Sequence, residues 1–315
     1  MNRKSLIVSI KSFKLSSQER SLFFSQKPWG IILFKRNIKN IKQLKQLTTD
    51  IRKLMRDPSY PILVDEEGGK VSRLTNIIDT KIFSQNLFGS LFEKDNFLGK
   101  NYYTYYLGQI SALLKAVGIN INTIPVLDLQ KRKTNKIIGN RSYSNNIKTI
   151  RFLGDLCISI LKKNKIGSVA KHIPGHGCST KDTHKELAVV KESFNYLLNN
   201  DFKIFKNINS QFAMTAHIIY DKIDQNFTAS HSDILIKNII RKKLKYKGLI
   251  MSDDISMKAL SENLLYNAIK SIQAGCNIAL YCGGDVKISA LLLKNMKNID
   301  DFTIKKTSEF YNFLR

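Results

Sequence analysis

The chain has 315 residues, 43% of them hydrophobic and 24% charged, and 51 Lys plus Arg against 25 Asp plus Glu leave a net charge of +26. That length and apolar content suit a large buried core, and no uninterrupted apolar run approaches the ~20 residues that cross a bilayer, which excludes a membrane-spanning chain. The start, MNRKSLIVSIKSF, is basic, but its apolar stretch is shorter than the ~7–15 residues of a secretory signal, so a cytoplasmic location is expected.

Cys157, Cys178, Cys276 and Cys282 show no C-x-x-C pairing and read as free thiols rather than a zinc knuckle or redox pair. The lysines recur in IKNIKQLKQL, LKKNKIG, IRKKLKYKG and LLLKNMKN, mostly on the polar sides of helical segments. A solvated basic surface accounts for that spread. The alternative is a basic patch for anionic ligands; without a binding motif, no nucleic-acid partner is expected.

Eight short apolar runs of strand type follow one another: LIVSI (6–10), GIILF (30–34), PILVD (61–65), NTIPVLD (122–128), GSVAKH (167–172), FAMTAH (212–217), GLIMSD (248–253) and NIALYC (277–282). Between them lie segments with apolar residues at helical spacing. Ile41, Leu44, Leu47, Ile51, Leu54 and Met55 form one stripe over 41–55, and Leu107, Ile110, Leu113, Leu114 and Val117 form another over 102–117. Leu235, Ile236, Ile239, Ile240 and Leu244 form a third, and a fourth segment, 264–274, stops at Gly275. Strands alternating with helices imply parallel pairing by right-handed crossovers, either in an open doubly wound sheet or in a closed barrel. The count of eight favours the barrel. So do the reactive side chains at the strand ends, Asp65, Asp128, Lys171 with His172, His217 and Asp253, because a barrel gathers all its strand ends on one face. One domain spanning 1–315 is expected, with no linker or repeat.

Lys171-His172-Ile-Pro-Gly175-His176-Gly177 leaves a strand into a turn whose glycines allow tight folding and close approach to a ligand. Beyond it come Asp182-Thr-His184, where the carboxylate can accept a hydrogen bond from the imidazole and so set its tautomer and charge. Gly248-Leu-Ile-Met-Ser-Asp253-Asp254 runs a buried strand into two carboxylates. One of them, assigned to Asp254, is expected to cap the following helix, while Asp253 points into the barrel mouth. Asp65-Glu66-Glu67-Gly68-Gly69 is a similar strand exit, read either as an acidic turn or as acceptors for sugar hydroxyls. By itself Arg141, in Gly139-Asn-Arg-Ser, means nothing.

Together these segments resemble the bacterial β-N-acetylhexosaminidases of glycoside hydrolase family three. The resemblance runs from ILFKRN (32–37) through VDEEGGKVSRL (64–74), INTIPVLDL (121–129), IGNRSYS (138–144), KHIPGHG…DTH (171–184), MTAHIIY (214–220) and GLIMSDDISM (248–257) to AGCNIAL (274–280). It implies an α/β fold, a single TIM-like (β/α)8 barrel in its short, barrel-only form. It also implies a retaining exo-enzyme that removes terminal N-acetylglucosamine from cytoplasmic peptidoglycan fragments, as a monomer, with no cofactor or metal and no nucleic-acid or membrane partner. On matching positions Asp253 is the nucleophile, His184 the general acid/base and Asp182 its partner; Asp65, Arg73, Arg141, Lys171 and His172 bind the sugar. Lys70 stands where Arg is usual, Cys178 where Asp is common, and Ala188 where Pro is frequent. Two rivals come from other classes. A metal-dependent barrel hydrolase would draw His172, His176, His184, His217 and Asp253 into a metal cluster, and a nucleic-acid-binding module would rest on charge alone.

Overall fold

The computed structural model describes residues 2–131, 138–181, 186–260 and 263–315. Its strands, in chain order, are β1 (Lys4–Ser9), β2 (Pro28–Leu33), β3 (Ile62–Val64), β4 (Ile121–Asn122), β5 (Gly167–Ile173), β6 (Ala188–Val190), β7 (Phe212–Thr215), β8 (Ile218–Tyr220), β9 (Asp224–Thr228), β10 (Leu249–Asp254) and β11 (Ile278–Leu280). The α-helices are α1 (Ser17–Gln26), α2 (Ile41–Met55), α3 (Gln85–Lys94), α4 (Asn96–Ala116), α5 (Ile147–Lys163), α6 (Phe194–Asn199), α7 (Asp201–Phe205), α8 (Leu264–Ala274), α9 (Val286–Asn295) and α10 (Asp301–Leu314). A π-helical segment covers Ile234–Lys243.

Eight parallel strands close into a barrel in the order β1-β2-β3-β4-β5-β7-β10-β11, and β11 pairs back onto β1. The expected closed barrel is thus the fold, and each apolar run contributes to one barrel strand. The run 122–128 does so only through Asn122 at the end of β4. Pro125 has no N–H to donate, and past Asn122 the chain stays on β5 through the Val169 N–H to the Ile124 carbonyl at 2.9 Å, the Lys171 N–H to the Pro125 carbonyl at 3.0 Å and the Leu127 N–H to the Lys171 carbonyl at 2.6 Å.

Alternation along the strands sorts two cores. Ile7, Ile32, Leu63, Ile121, Val169, Met214, Met251 and Leu280 fill the barrel. Their neighbours Val8, Ile31, Val64, Ala170, Ala213, Ile250 and Ala279 belong to the larger cluster shared with the helices. At the N-terminal end of the strands Trp29 meets Phe212 edge-on at 5.6 Å, and Phe212 meets Phe310 of α10 at 5.1 Å. Trp29 Nε1 donates to Thr307 Oγ1 at 2.9 Å. The last helix therefore plugs the barrel floor.

The stripe over 41–55 coincides with α2, and 264–274 with α8. α4 begins earlier than the stripe over 102–117, because Asp95 caps it by accepting from the Leu98 N–H. Phe97, 77% exposed, shows why periodicity missed that turn: its apolar residues face solvent. The stripe at 235–244 is buried as expected but wound as a π-helix. Among the described residues no helix is long and apolar enough to cross a membrane. A small sheet, β6-β8-β9, stands beyond the C-terminal end of β7, and β6 anchors the chain that leaves the PGHG segment.

Candidate active site

The mouth of the barrel is built by a two-residue step. Side chains two positions apart on a strand share a face. Two residues beyond the inward apolar side chains Leu63, Ile121, Val169, Met251 and Leu280 stand Asp65, Thr123, Lys171, Asp253 and Cys282. The same alternation turns Asp254 away from the barrel axis.

Oppositely charged groups then interlock across the mouth. Lys171 Nζ lies 2.5 Å from Asp65 Oδ1 and 2.6 Å from Glu67 Oε1. Arg73 Nη2 reaches the other Asp65 oxygen at 2.9 Å, and Thr123 donates its hydroxyl to Asp65 Oδ1 at 2.5 Å. Arg141 grips Glu67 with both ends of its fork, Nε at 2.7 Å and Nη2 at 2.9 Å. Burial disfavours ionisation of Asp65 and Glu67, but Lys171 with Arg73, and Arg141 with Lys171, outweigh it and hold both carboxyls below their usual range. Buried charges this close survive only because each is matched.

Within the acidic turn, Glu66 serves the turn itself. Glu66 accepts from the Arg73 and Leu74 N–H groups at 2.6 and 2.9 Å and from Thr80 Oγ1 at 2.6 Å, which folds the segment that carries Arg73. Burial raises the Glu66 pKa despite those donors. Gly68 is needed for this turn, with φ +77 and a Cβ that would sit 2.2 Å from the Phe83 carbonyl oxygen.

Asp128 organises the next wall. Fully buried, it accepts the His172 N–H at 3.2 Å and the His176 N–H at 2.8 Å, and its other oxygen lies 2.6 Å from His172 Nδ1. A proton on Nδ1 leaves His172 Nε2 to accept from Arg141 Nη2 at 3.3 Å, a tautomer assigned from the hydrogen-bond pattern. The glycines of the PGHG turn serve chain-to-chain contact rather than ligand approach: a Cβ on Gly177 would lie 2.2 Å from the Leu129 carbonyl oxygen. Cys178 stands between Lys131 Nζ at 2.7 Å and Asp201 Oδ2 at 3.3 Å, and Lys131 is ion-paired to Asp201. Asp201 thus brings a carboxylate beside Cys178.

Burial resists ionisation of Asp128, yet His172 and the loop N–H groups bring its pKa down to about 2. A folded pKa below the unfolded one adds stability above the unfolded value of ~3.9, and that stability is lost as pH falls through about 2. Asp128→Asn should therefore lose about 2 kcal/mol near neutrality, and its urea midpoint should fall less than that of the parent chain between about pH 6 and pH 3. Equal losses in both proteins would remove Asp128 from the acid response.

Asp253 is half-buried, and its Oδ1 accepts the Asp254 N–H at 2.8 Å. Asp254 is occupied elsewhere. It takes the Ser256 hydroxyl at 2.7 Å and the Ser256 and Cys282 N–H groups at 3.1 Å. It braces a turn and the end of β11 instead of capping a helix; α8 starts later and is capped by Asn263. His217 donates Nε2–H to the Asp254 carbonyl at 3.0 Å and accepts the Ser230 hydroxyl at Nδ1, 2.7 Å away. Burial lowers the pKa of His217, and brings that of His176 to about 4, so both are neutral near pH 7. Of the rival metal cluster, His172 and His217 have both ring nitrogens engaged, and His184 lies outside the described residues. Among the described residues no three His, Cys, Asp or Glu side chains gather to hold an ion.

Over residues 4–307 the chain matches the glycosyl hydrolase family 3 N-terminal domain. It is 34% identical over 286 residues to a β-hexosaminidase of Neisseria meningitidis serogroup A, covering 89% of this chain and 78% of that one. The chain belongs to glycosyl hydrolase family 3. It is a glycosidase. A β-hexosaminidase of Neisseria gonorrhoeae shows the same identity and coverage. The crystal structure of gonococcal NagZ in complex with N-trifluoroacetyl-D-glucosamine superposes with a TM-score of 0.86 at 28% identity, over all of this chain and 91% of that one. A family 3 β-N-acetylglucosaminidase from Paenibacillus has the same TM-score at 23% identity, over 98% of this chain and 60% of that one, and shares the fold.

Of the site residues expected from the family 3 resemblance, Asp65, Arg73, Arg141, Lys171, His172 and Asp253 stand at the C-terminal mouth of the barrel, the first five joined by the contacts above. Asp182 and His184 lie outside the described residues. Glu67 and Asp128 hold those side chains in place, and their importance was not visible in the sequence. In the sequence Asp128 reads as a strand end, and Glu67 as part of an acidic turn or an acceptor for sugar hydroxyls. Arg36 was also missed. It ties the ends of β1 and β11 together through Ser9 Oγ at 2.7 Å and the Cys282 carbonyl at 2.6 Å.

Proposed function

We propose that this glycosidase is a retaining exo-β-N-acetylglucosaminidase that removes the non-reducing N-acetylglucosamine of peptidoglycan fragments in the cytoplasm, acting as one barrel unit and a monomer. The observation that carries the reading is the inward step from Met251 to Asp253, which aims a carboxylate into the same mouth as Asp65 and Lys171. The relatives' names, and the N-acylated glucosamine in the gonococcal complex, support the choice of sugar.

In this mechanism Asp253 attacks the anomeric carbon as the glycosidic bond breaks, forming a glycosyl ester. His184, favoured as imidazolium by Asp182, donates a proton to the leaving oxygen, then takes one from the water that hydrolyses the ester. Asp65 and the cations Arg73, Lys171 and Arg141 hold the sugar hydroxyls together with His172, which makes the attack effectively unimolecular. The Lys171 ammonium and the Arg141 fork are already fixed by Glu67, so little ordering remains to be done when substrate arrives.

The test is release of nitrophenol from an aryl β-N-acetylglucosaminide compared with the matching β-glucoside. A preference of about 10²-fold or more for the acetamido sugar is expected, because a site built for a polar group rejects the analogue that lacks it. Equal rates on the two would overturn the assignment of the sugar.

A further inference from the structure

We propose that the barrel floor carries a second binding site, for a phosphorylated small molecule. A cavity of about 540 Å³ opens between the loop 207–212, the segment 245–248 and the plug helix α10, within the size range of small-ligand sites. It lies at the N-terminal ends of β5, β7 and β10, the opposite end of the barrel from Asp65 and Asp253.

Separate segments bring positive charge into it: Lys162 from the end of α5, Lys245 and Lys247 from the turn before β10, and Lys306 from α10. The lining holds one carboxylate, Glu309, which pairs with Lys306 at 2.6 Å, so the cavity keeps a surplus of three positive charges. Cations also favour helix C-termini, which end on this face. That accounts for Lys162, in the last turn of α5, but not for Lys247 or Lys306.

Ser210 lines the cavity and is 5% exposed, its hydroxyl turned in beside Tyr246, whose own hydroxyl donates to the Ser210 carbonyl at 3.2 Å. The two loops that frame the opening are fixed to each other, Asn207 N–H to the Leu244 carbonyl at 2.8 Å. Asn207 and Lys245 both hold left-handed backbone, at φ 55 and 57, a conformation that costs energy for a lysine and persists where the surroundings enforce it. A phosphate, with two negative charges and several acceptor oxygens, fits a cluster of lysine ammoniums better than a carboxylate would. The volume beyond it, edged by the half-buried Phe313, admits a sugar or base.

Titration calorimetry of the full chain with sodium pyrophosphate, at ionic strength held constant with NaCl, tests the site. One saturable site per chain is expected, weakened about tenfold or more in the double variant Lys162→Glu, Lys247→Glu. The double variant should keep kcat/KM on the aryl glycoside within about twofold, since the two ends of the barrel share no contacts. A charge-matched pair elsewhere, Lys53→Glu with Lys115→Glu, should bind pyrophosphate like the parent. Binding that does not saturate, or that the two double variants lose equally, would show screening of the +26 surface and overturn the proposal. With ATP as a parallel titrant, tighter binding than pyrophosphate assigns the site to phosphate esters, and weaker binding assigns it to inorganic polyphosphate.

Discussion

Asp253→Ala is expected to lower kcat on an aryl β-N-acetylglucosaminide by about 10⁴-fold or more and to leave the urea midpoint near that of the parent chain. The rate should fall because, among the described residues, the other carboxylates of the mouth are occupied. Asp65 and Glu67 are held by cations, Glu66 is enclosed by the turn it folds, and Asp254 accepts three donors. The fold survives because Asp253 is half-buried at a strand end, with Met251 below it making the apolar contacts of the barrel. Asp254→Asn is the converse case. It should lower the midpoint, since it weakens the brace between the β10 turn and Cys282, and should spare chemistry more than Asp253→Ala does. An Asp253→Ala protein that keeps a tenth of the parent rate, properly folded, would move the nucleophile elsewhere.

His184→Ala is the second large effect, and its size should depend on the leaving group. On a natural disaccharide, whose leaving alkoxide needs a proton, glycosylation should slow by about 10³-fold. On a dinitrophenyl glycoside, which departs as a stable anion, the same step should be nearly unchanged, and hydrolysis of the ester should limit turnover instead. Azide, a nucleophile that needs no base, should then restore part of the rate. Asp182→Asn should be milder, because it keeps an acceptor for the imidazole but removes the charge that favours its protonated form. Loss of that charge lowers the pKa of His184, so the limb of the pH–rate profile that requires imidazolium should move to lower pH. Equal slowing of glycosylation across leaving groups would remove His184 as the proton donor. Of the other acids, Glu66 has a raised pKa yet lies 1% exposed within its own turn, with no path to a leaving oxygen.

The sequence alone determined whatever depends on spacing along the chain. The apolar runs alternating with helical stripes required a parallel α/β fold, and their number matched a closed barrel. A period of two along GLIMSD carries Met251 and Asp253 to one face and Asp254 to the other, so the division of labour between two adjacent carboxylates is a property of the strand itself. The order of family motifs carried the rest of the expected site. Tertiary structure decided everything that rests on partners distant in the chain. Glu67 is a clamp because Arg141 lies 74 residues on and Lys171 crosses from β5, and nothing near Glu67 encodes either contact. Asp128 holds His172 across 44 residues, and His217 is spent on Ser230 and the Asp254 carbonyl rather than on a metal. The basic floor cavity belongs to the same class. Lys162, Lys247 and Lys306 look like solvated lysines on three unrelated segments, and only closure of the barrel, with α10 drawn across its base by Phe310 and Thr307, brings their charges to one cavity. Periodicity reports which way a side chain faces, and the fold decides what it meets there.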